Sequence, residues 1–197
     1  MPPKYIIPAN GPLLQGEILT EIHEHRPVYP SGLPPPDGLS TQIHSIRHQW
    51  MVVMSPLCDL EQDFKRVRFP QGRIEEPSVY TDYQDTNTVS HVLLCDAYPA
   101  DLVRQRFIGQ RTLWQQVESN EHKRYHCLQE GKIGDLETNQ FPRLFLDFKR
   151  VLALPSVSLY EGIRLNQVKR VAVVPPIYVH DLIQRFYTFL SRVGLPE

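Results

Sequence analysis

The chain has 197 residues and a formal net charge of −1, and 41% of its residues are hydrophobic, as is ordinary for a globular protein. This length predicts one domain over residues 1–197, and the charge argues against wholesale binding of nucleic acid, though not against a local basic face. No apolar run approaches the roughly 18 residues of a membrane span, and residues 1–8 lack the apolar core of a signal peptide. Three cysteines cannot all pair, which fits a reducing compartment, so we expect a cytoplasmic protein without membrane contact.

The first part of the chain predicts three strands and a proline-rich connection. Gly16–His23 and Thr41–Arg47 have strand-like patterns, and Trp50–Ser55 is an apolar, partly β-branched run that is typical of a buried strand. Between the first two strands, Arg26–Gly38 is rich in proline. It predicts a stiff surface loop or, alternatively, a ligand for an SH3 or WW partner.

Two Cys-Asp pairs are the sharpest feature of the sequence. Cys58 and Asp59 follow the apolar run that ends at Ser55, and Cys95 and Asp96 close a second run that predicts another buried strand. We therefore expect a thiol and a carboxylate side by side at each of two neighbouring strand ends. The pairs are predicted to be structural, with thiols filling the sheet edge and carboxylates capping turns; the alternative is that they are reactive.

The second half predicts a helical insertion, further strands and a final helix. A helical pattern covers about 99–120, and Gly109 divides it in two. Three strands are expected, over Lys123–Gln129, Phe145–Leu154 and Leu165–Val174. A helix over 175–194 opens on two prolines and carries an apolar stripe.

These elements together predict a mainly β fold. Strands and helices do not alternate in βαβ order, so a parallel sheet is not expected. The predicted architecture is a small antiparallel barrel over residues 16–174, with a helical insertion at about 99–120 and a C-terminal helix over 175–194.

The order of short motifs resembles the MazF/PemK-like toxin family. Gly16-Glu17-Ile18 stands for the Gly-Asp-Ile that typically begins these proteins. Met51–Ser55, Val92–Asp96 and Leu146–Val151 follow in the order of the family, so the likeness runs over residues 16–193. The resemblance implies an SH3-like barrel and metal-independent cleavage of RNA.

The resemblance also implies which residues would cleave RNA. The family arginine lies in an Arg-Pro pair, for which Arg26 is the nearest match and Arg47 the alternative, and Ser55 would supply a hydroxyl. At the end of the next strand the family has Ser or Thr, where this chain has Cys95 and Asp96. A carboxylate there repels a phosphate by about 1 kcal/mol or more, even in water, which favours a protein without nuclease activity.

The cysteines and histidines do not have the spacing of a metal site. No Cys-x-x-Cys pair occurs, and Cys58, Cys95 and the adjacent pair His126 and Cys127 would come from three different elements, so we expect neither a metal nor a cofactor. A nucleophilic Cys58 in the first turn of a helix, with His91 or His126 as base, is an alternative. The neighbouring carboxylate disfavours a thiolate there, and the remaining histidines are expected to be ordinary surface or core residues.

One basic stretch has the composition of a nucleic-acid surface. Lys65, Arg66 and Arg68 lie among the aromatic residues Phe64 and Phe69, and such side chains on one face can neutralise phosphates. The acidic residues that follow also fit an ordinary solvated surface.

Two functional hypotheses follow. The first is a non-catalytic interaction module of a prokaryotic toxin–antitoxin or phage-defence operon, which binds RNA or a protein partner from the same operon. The second is an endoribonuclease that uses Arg26 or Arg47 with Ser55. The two differ in whether an arginine and Ser55 meet in one pocket, and the oligomeric state stays open.

Overall fold

The computed structural model describes residues 3–28, 42–66, 90–134 and 140–192. The strands are β1 (Lys4–Tyr5), β2 (Glu17–Thr20), β3 (Ile22–Val28), β4 (Gln42–His48), β5 (Trp50–Val53), β6 (His91–Pro99), β7 (Tyr125–Leu128), β8 (Gly131–Ile133), β9 (Gln140–Phe141), β10 (Leu144–Pro155) and β11 (Lys169–Val173). The helices are α1 (Leu57–Arg66), α2 (Ala100–Arg104), α3 (Arg111–Glu118), α4 (Ser156–Arg164) and α5 (Pro176–Ser191), and a 3-10 turn covers Gln105–Phe107.

A curled antiparallel sheet of six strands organises the fold, in the order β11-β2-β5-β6-β10-β7. This sheet forms a half-barrel with helices appended to it, which confirms the predicted mainly β fold class. A small second sheet contains β1, β8 and β9, and β3 and β4 form a separate two-stranded ribbon.

The two apolar runs that precede or contain the Cys-Asp pairs lie side by side in the middle of the main sheet. Strands β5 and β6 are antiparallel, with Val52 opposite Cys95, and both residues are fully buried. This confirms the prediction of neighbouring buried strands. The strand end expected at Cys95 and Asp96 is wrong, because β5 and β10 both pair with β6 and the strand continues to Pro99.

The strand predicted over Gly16–His23 is broken in two. Glu21 has a φ of 64°, and the chain changes direction there between β2 and β3. Gln49 separates β4 from β5 at the corresponding place on the neighbouring strand, so β3 and β4 leave the main sheet together as the ribbon. The loop expected over Arg26–Gly38 does not begin at Arg26, which lies in β3; the part of that prediction from residue 29 onward lies outside the described residues.

Strand β10 contains a bulge of several residues. Its pairing with β6 shifts between Leu146 and Val151, so that the four residues Asp147–Arg150 lie opposite the single residue Asp96. A bulge leaves its extra residues unpaired and bends the strand. The last two residues of this bulge consequently expose their side chains.

The helical insertion and the C-terminal helix follow the prediction. Helices α2 and α3 flank Gly109, which has a φ of 77° that favours glycine. Helix α5 buries Leu182 and Phe186, as the apolar stripe predicts, whereas Leu190 from the same stripe is 40% exposed. Residues 193 and 194 of the predicted helix lie outside the described residues.

Helix α4 is absent from the sequence prediction, and β11 is shorter than expected. Helix α4 ends at Arg164, and residues 165–168, where the predicted strand began, form a turn before β11 starts at Lys169. Leu159 and Tyr160 of α4 pack in one apolar cluster with β5 and β6, and Phe186 of α5 packs in a second cluster that takes the alternate residues of the same strands. The two helices therefore cover opposite faces of the sheet. None of the helices in the described ranges combines the length and hydropathy needed to span a bilayer.

Candidate functional site

A cleft of about 470 Å³ opens between the ribbon and the bulge of β10. The ribbon contributes Arg26 and Arg47, and the bulge contributes Lys149 and Arg150. All four side chains are exposed. The volume lies within the range of small-molecule pockets, and the cations give the walls of the cleft a positive charge.

His48 forms the base of this cleft, between two carboxylates. Its Nδ1 lies 2.6 Å from Oδ1 of Asp96, and its Nε2 lies 3.1 Å from Oε2 of Glu24. Asp96 also accepts a hydrogen bond of 2.9 Å on its other oxygen, from the hydroxyl of Tyr98. Both ring nitrogens of His48 and both carboxylate oxygens of Asp96 therefore have partners within this group, which joins β3, β4 and β6.

The electrostatics of the group favour an imidazolium at His48. The hydrogen bond to Asp96, the charge of Asp96 and the contact with Glu24 together raise the pKa of His48, although partial burial opposes them. The hydrogen bond from Arg26 is the main cause that lowers the pKa of Glu24. Burial, followed by the charge of Asp96, raises the pKa of Tyr98, which stays a neutral donor.

The four cations of the cleft differ in whether they are already paired. Arg26 donates to Glu24, and Arg47 donates to Glu21 at 2.6 Å. Within the described ranges, the side chains of Lys149 and Arg150 make neither an ion pair nor a hydrogen bond. As far as the described residues show, the cleft thus presents two positive charges that no neighbouring carboxylate compensates.

A buried carboxylate holds the bulge in place. Asp147 is fully buried and receives hydrogen bonds from Arg124 and from Arg106, the latter at 3.2 Å. Its Oδ1 also accepts the backbone N–H of Lys149 at 3.2 Å. Arg106 lies over the ring of Tyr98, 5.3 Å from its centroid. These contacts fix the backbone that carries the two unpaired cations.

The residues proposed for RNA cleavage do not meet. Arg26 and Arg47 line the cleft, but Ser55 does not. The hydroxyl of Ser55 is buried and accepts the backbone N–H of Leu93 at 2.8 Å. This contact joins the end of β5 to β6, so Ser55 has a structural role and is separate from the cleft.

The two Cys-Asp pairs have different surroundings. Cys58 is exposed in the first turn of α1, and its thiol lies 3.4 Å from Oδ1 of Asp59. Cys95 is buried within β6, and its thiol donates to the carbonyl of Asp147 at 3.4 Å. Burial raises the pKa of Cys95 and of Cys127, the latter to about 12, so both stay protonated. Asp96 belongs to the cleft and is not a turn cap.

The other candidate residues lie elsewhere or outside the described part of the chain. Lys65 and Arg66 end α1, but their side chains are not among the described ones, and Arg68 is outside the described residues. Within the described ranges no three His, Cys, Asp or Glu side chains are grouped as metal ligands. His126 is buried in β7 and His91 is exposed at the start of β6, and neither contacts Cys58.

Sequence reasoning missed His48, Lys149 and Arg150. The partners of His48 come from distant strands, and its spacing to other histidines contains no signal. Lys149 and Arg150 stand within an apolar strand, where two adjacent cations break the alternation of a regular strand. That break is the signal that could have indicated the bulge.

Comparison with protein-family models, with curated proteins and with solved structures finds no match to this chain.

Proposed function

We propose that this protein is a non-catalytic interaction module that binds single-stranded RNA through its phosphates in the cleft. The observation that carries the proposal is the pair of cations Lys149 and Arg150, which have no partner among the described residues and lie on a bulge fixed by buried hydrogen bonds. Because the backbone is already fixed, binding of phosphate needs to order only the side chains of these cations and not the main chain, and positively charged grooves are the usual site for single strands.

The cleft favours a single strand over a protein segment for two reasons. Its walls are charged at Arg26, Arg47, Lys149 and Arg150, whereas the centre of a protein interface is depleted of charge. Its volume suits a short stretch of an extended chain more than a folded surface. A role in a prokaryotic toxin–antitoxin or phage-defence operon and a protein partner from that operon belong to the same proposal and rest on the resemblance to MazF/PemK-like toxins. A cytoplasmic location belongs to it as well and rests on the three cysteines, which fit a reducing compartment.

Fluorescence anisotropy with a labelled single-stranded RNA tests the proposal. Two neutralised phosphates predict a slope of log affinity against log salt of about −1.4, from about 0.7 for each phosphate of a single strand. The double variant Lys149→Ala/Arg150→Ala should lose most of this slope and at least about tenfold in affinity at low salt. The matched control is Arg111→Ala/Arg192→Ala, which removes two exposed cations outside the cleft and should behave as wild type. Equal losses in both double variants, or no binding by the wild type, would contradict the proposal.

A metal-independent endoribonuclease is the second candidate. The observation that favours it is the presence of Arg26, Arg47 and His48 in one cleft. Against it, both nitrogens of His48 already contact carboxylates, and the hydroxyl of Ser55 is elsewhere. We expect no cleavage of a long structured RNA in the presence of a chelator. Cleavage by the wild type that Arg26→Ala abolishes would establish the nuclease and overturn the non-catalytic proposal.

A further inference from the structure

Two carboxylates lie at or behind the wall of the cleft that would receive the phosphate of the proposed ligand. Asp96 lines the cleft, and Glu24 lies on the other side of His48. The negative charges of these carboxylates repel a phosphate in the cleft, and they do so more strongly in a partly desolvated site than in water. A cleft that binds phosphate must therefore neutralise these two groups.

We propose that the protonation of His48 controls phosphate binding in this cleft. As an imidazolium, His48 neutralises part of the charge on Asp96 and Glu24, and the cleft admits the phosphates of RNA. As a neutral imidazole, it no longer compensates the charge of Asp96 at the cleft wall or that of Glu24 behind it, and affinity falls. This inference concerns the regulation of the cleft and rests on the function proposed above.

The geometry supports control of RNA binding by protonation, because each ring nitrogen of His48 contacts a carboxylate oxygen. Only the imidazolium donates from Nδ1 and Nε2 together, as the contacts of 2.6 Å to Asp96 and 3.1 Å to Glu24 require. A neutral ring keeps one N–H, and its other nitrogen then presents a lone pair to a carboxylate oxygen. Loss of the proton thus removes a positive charge and a hydrogen bond at the same place.

The charged and titratable groups around His48 determine whether RNA affinity rises or falls with pH. From β6, Asp96 accepts from His48 and from Tyr98; from β3, Glu24 accepts from His48 and from Arg26. From β10, the bulge brings Lys149 and Arg150 to the same cleft. The carboxylates dominate and raise the pKa of His48 above its ordinary value of 6.5. RNA binding should accordingly be tight below that raised pKa and should weaken as pH rises through it.

Anisotropy across pH at constant ionic strength tests the inference. The probe is a labelled single-stranded oligoribonucleotide with hydroxyl ends, because a terminal phosphate itself titrates near about pH 6. Between about pH 5.5 and about pH 8.5, wild-type affinity should fall about tenfold, as the loss of one nearby charge predicts. His48→Gln should bind weakly with no such dependence on pH. His44→Gln removes an exposed histidine from the same ribbon and should keep the wild-type profile.

Two further measurements keep the test independent of the folding of His48→Gln. Asp96→Asn removes one of the two carboxylates, so it should bind more tightly than wild type at high pH and shift the midpoint of the profile to lower pH. In the wild type, NMR titration of the His48 ring should show a pKa that is raised by about one unit when RNA is bound, because a tenfold linkage is reciprocal.

The outcomes separate this inference from the function on which it rests. Binding that depends on Lys149 and Arg150 but not on pH, or a His48 pKa that RNA leaves unchanged, overturns the inference and leaves the function standing. Absence of RNA binding at every pH overturns both. A pH dependence lost in His44→Gln and kept in His48→Gln also overturns the inference.

Discussion

Arg124 holds the carboxylate of Asp147 through two parallel hydrogen bonds of 2.6 Å, from Nε to Oδ1 and from Nη2 to Oδ2. Asp147 is fully buried, and a buried carboxylate is tolerated only when it is paired and hydrogen-bonded. The pair joins the residue before β7 to the first residue of the bulge in β10. The position of the cleft wall therefore depends on it.

Arg124→Ala should lower the free energy of unfolding by about 2–3 kcal/mol, because it leaves a buried charge that Arg106 compensates only in part. Urea denaturation measures the change. The control is Arg143→Ala, whose partners Glu118 and Glu130 are exposed, and it should cost less than about 1 kcal/mol. Equal losses of unfolding free energy in the two variants would show that the contact with Arg124 does not stabilise the buried carboxylate of Asp147.

Ser55→Ala should destabilise the protein by about 1–2 kcal/mol, since the buried N–H of Leu93 loses its acceptor. RNA binding by the folded variant should equal that of the wild type in the anisotropy assay, because Ser55 lies outside the cleft. Ser45→Ala, at an exposed position, is the control and should change stability by less than about 0.5 kcal/mol. If the folded Ser55→Ala variant lost RNA binding, Ser55 would have to be part of the functional site.

Cys58 should be the one cysteine that reacts with a thiol reagent in the native protein. Cys95 and Cys127 are buried, and they should react only after unfolding, because reagent must reach the sulfur. A chromogenic disulfide reagent counts the thiols before and after addition of denaturant. Cys58→Ser should abolish the native reaction and leave RNA binding unchanged. Native labelling of Cys95 would mean that β6 opens far more readily than its burial indicates.

His126 should make the protein sensitive to acid. Burial, with a smaller effect of Arg185, lowers the pKa of His126 to about 3, and its Nδ1 has no hydrogen-bond partner among the described residues. The unfolded chain binds this proton at about pH 6.5 and the folded chain does not, so stability falls as pH falls between those two values.

His126→Leu removes that titration. Its unfolding free energy should gain about 2 kcal/mol relative to the wild type when the pH is lowered from about 7 to about 5. Chemical denaturation at both pH values measures the difference. His180→Leu, at an exposed position on α5, should keep a constant difference from the wild type. A constant difference for His126→Leu as well would mean that its ring reaches water in the folded state.

The sequence predicts the elements better than it predicts the cleft, for a physical reason. Trp50–Ser55 is a continuous apolar run and Leu182 and Phe186 repeat at helical spacing, so local patterns determine β5 and α5. Helix α4 was missed because Ser156–Arg164 opens with serine and valine, which are weak helix formers, and burial against the sheet stabilises it instead.

The cleft depends on which residues of separate strands lie next to one another, and no local sequence pattern predicts that register. His48 contacts Glu24 and Asp96 only because the ribbon turns at Glu21 and brings β3 and β4 next to β6. The unpaired cations depend on a bulge of β10. Polar residues on separate strands have no periodicity that marks them as partners, so the sequence indicates Arg26 and Arg47 as candidates but not the residues that surround them.

The order of strands in the main sheet has a consequence for how fast the protein folds. Strand β2 pairs with β11, so Thr20 lies opposite Lys169, and strands from the two ends of the described chain must meet before the sheet is complete. The chain between β2 and β11 loses conformational entropy when it closes, before the contacts between the two strands can stabilise it. Folding slows as contacting residues lie farther apart in sequence. We expect refolding on a timescale of about milliseconds to seconds or slower, which stopped-flow fluorescence of Trp50 and Trp114 can follow. A chain still being synthesised cannot form the β2–β11 pair, so this edge of the sheet stays open to other partners until the last strand emerges.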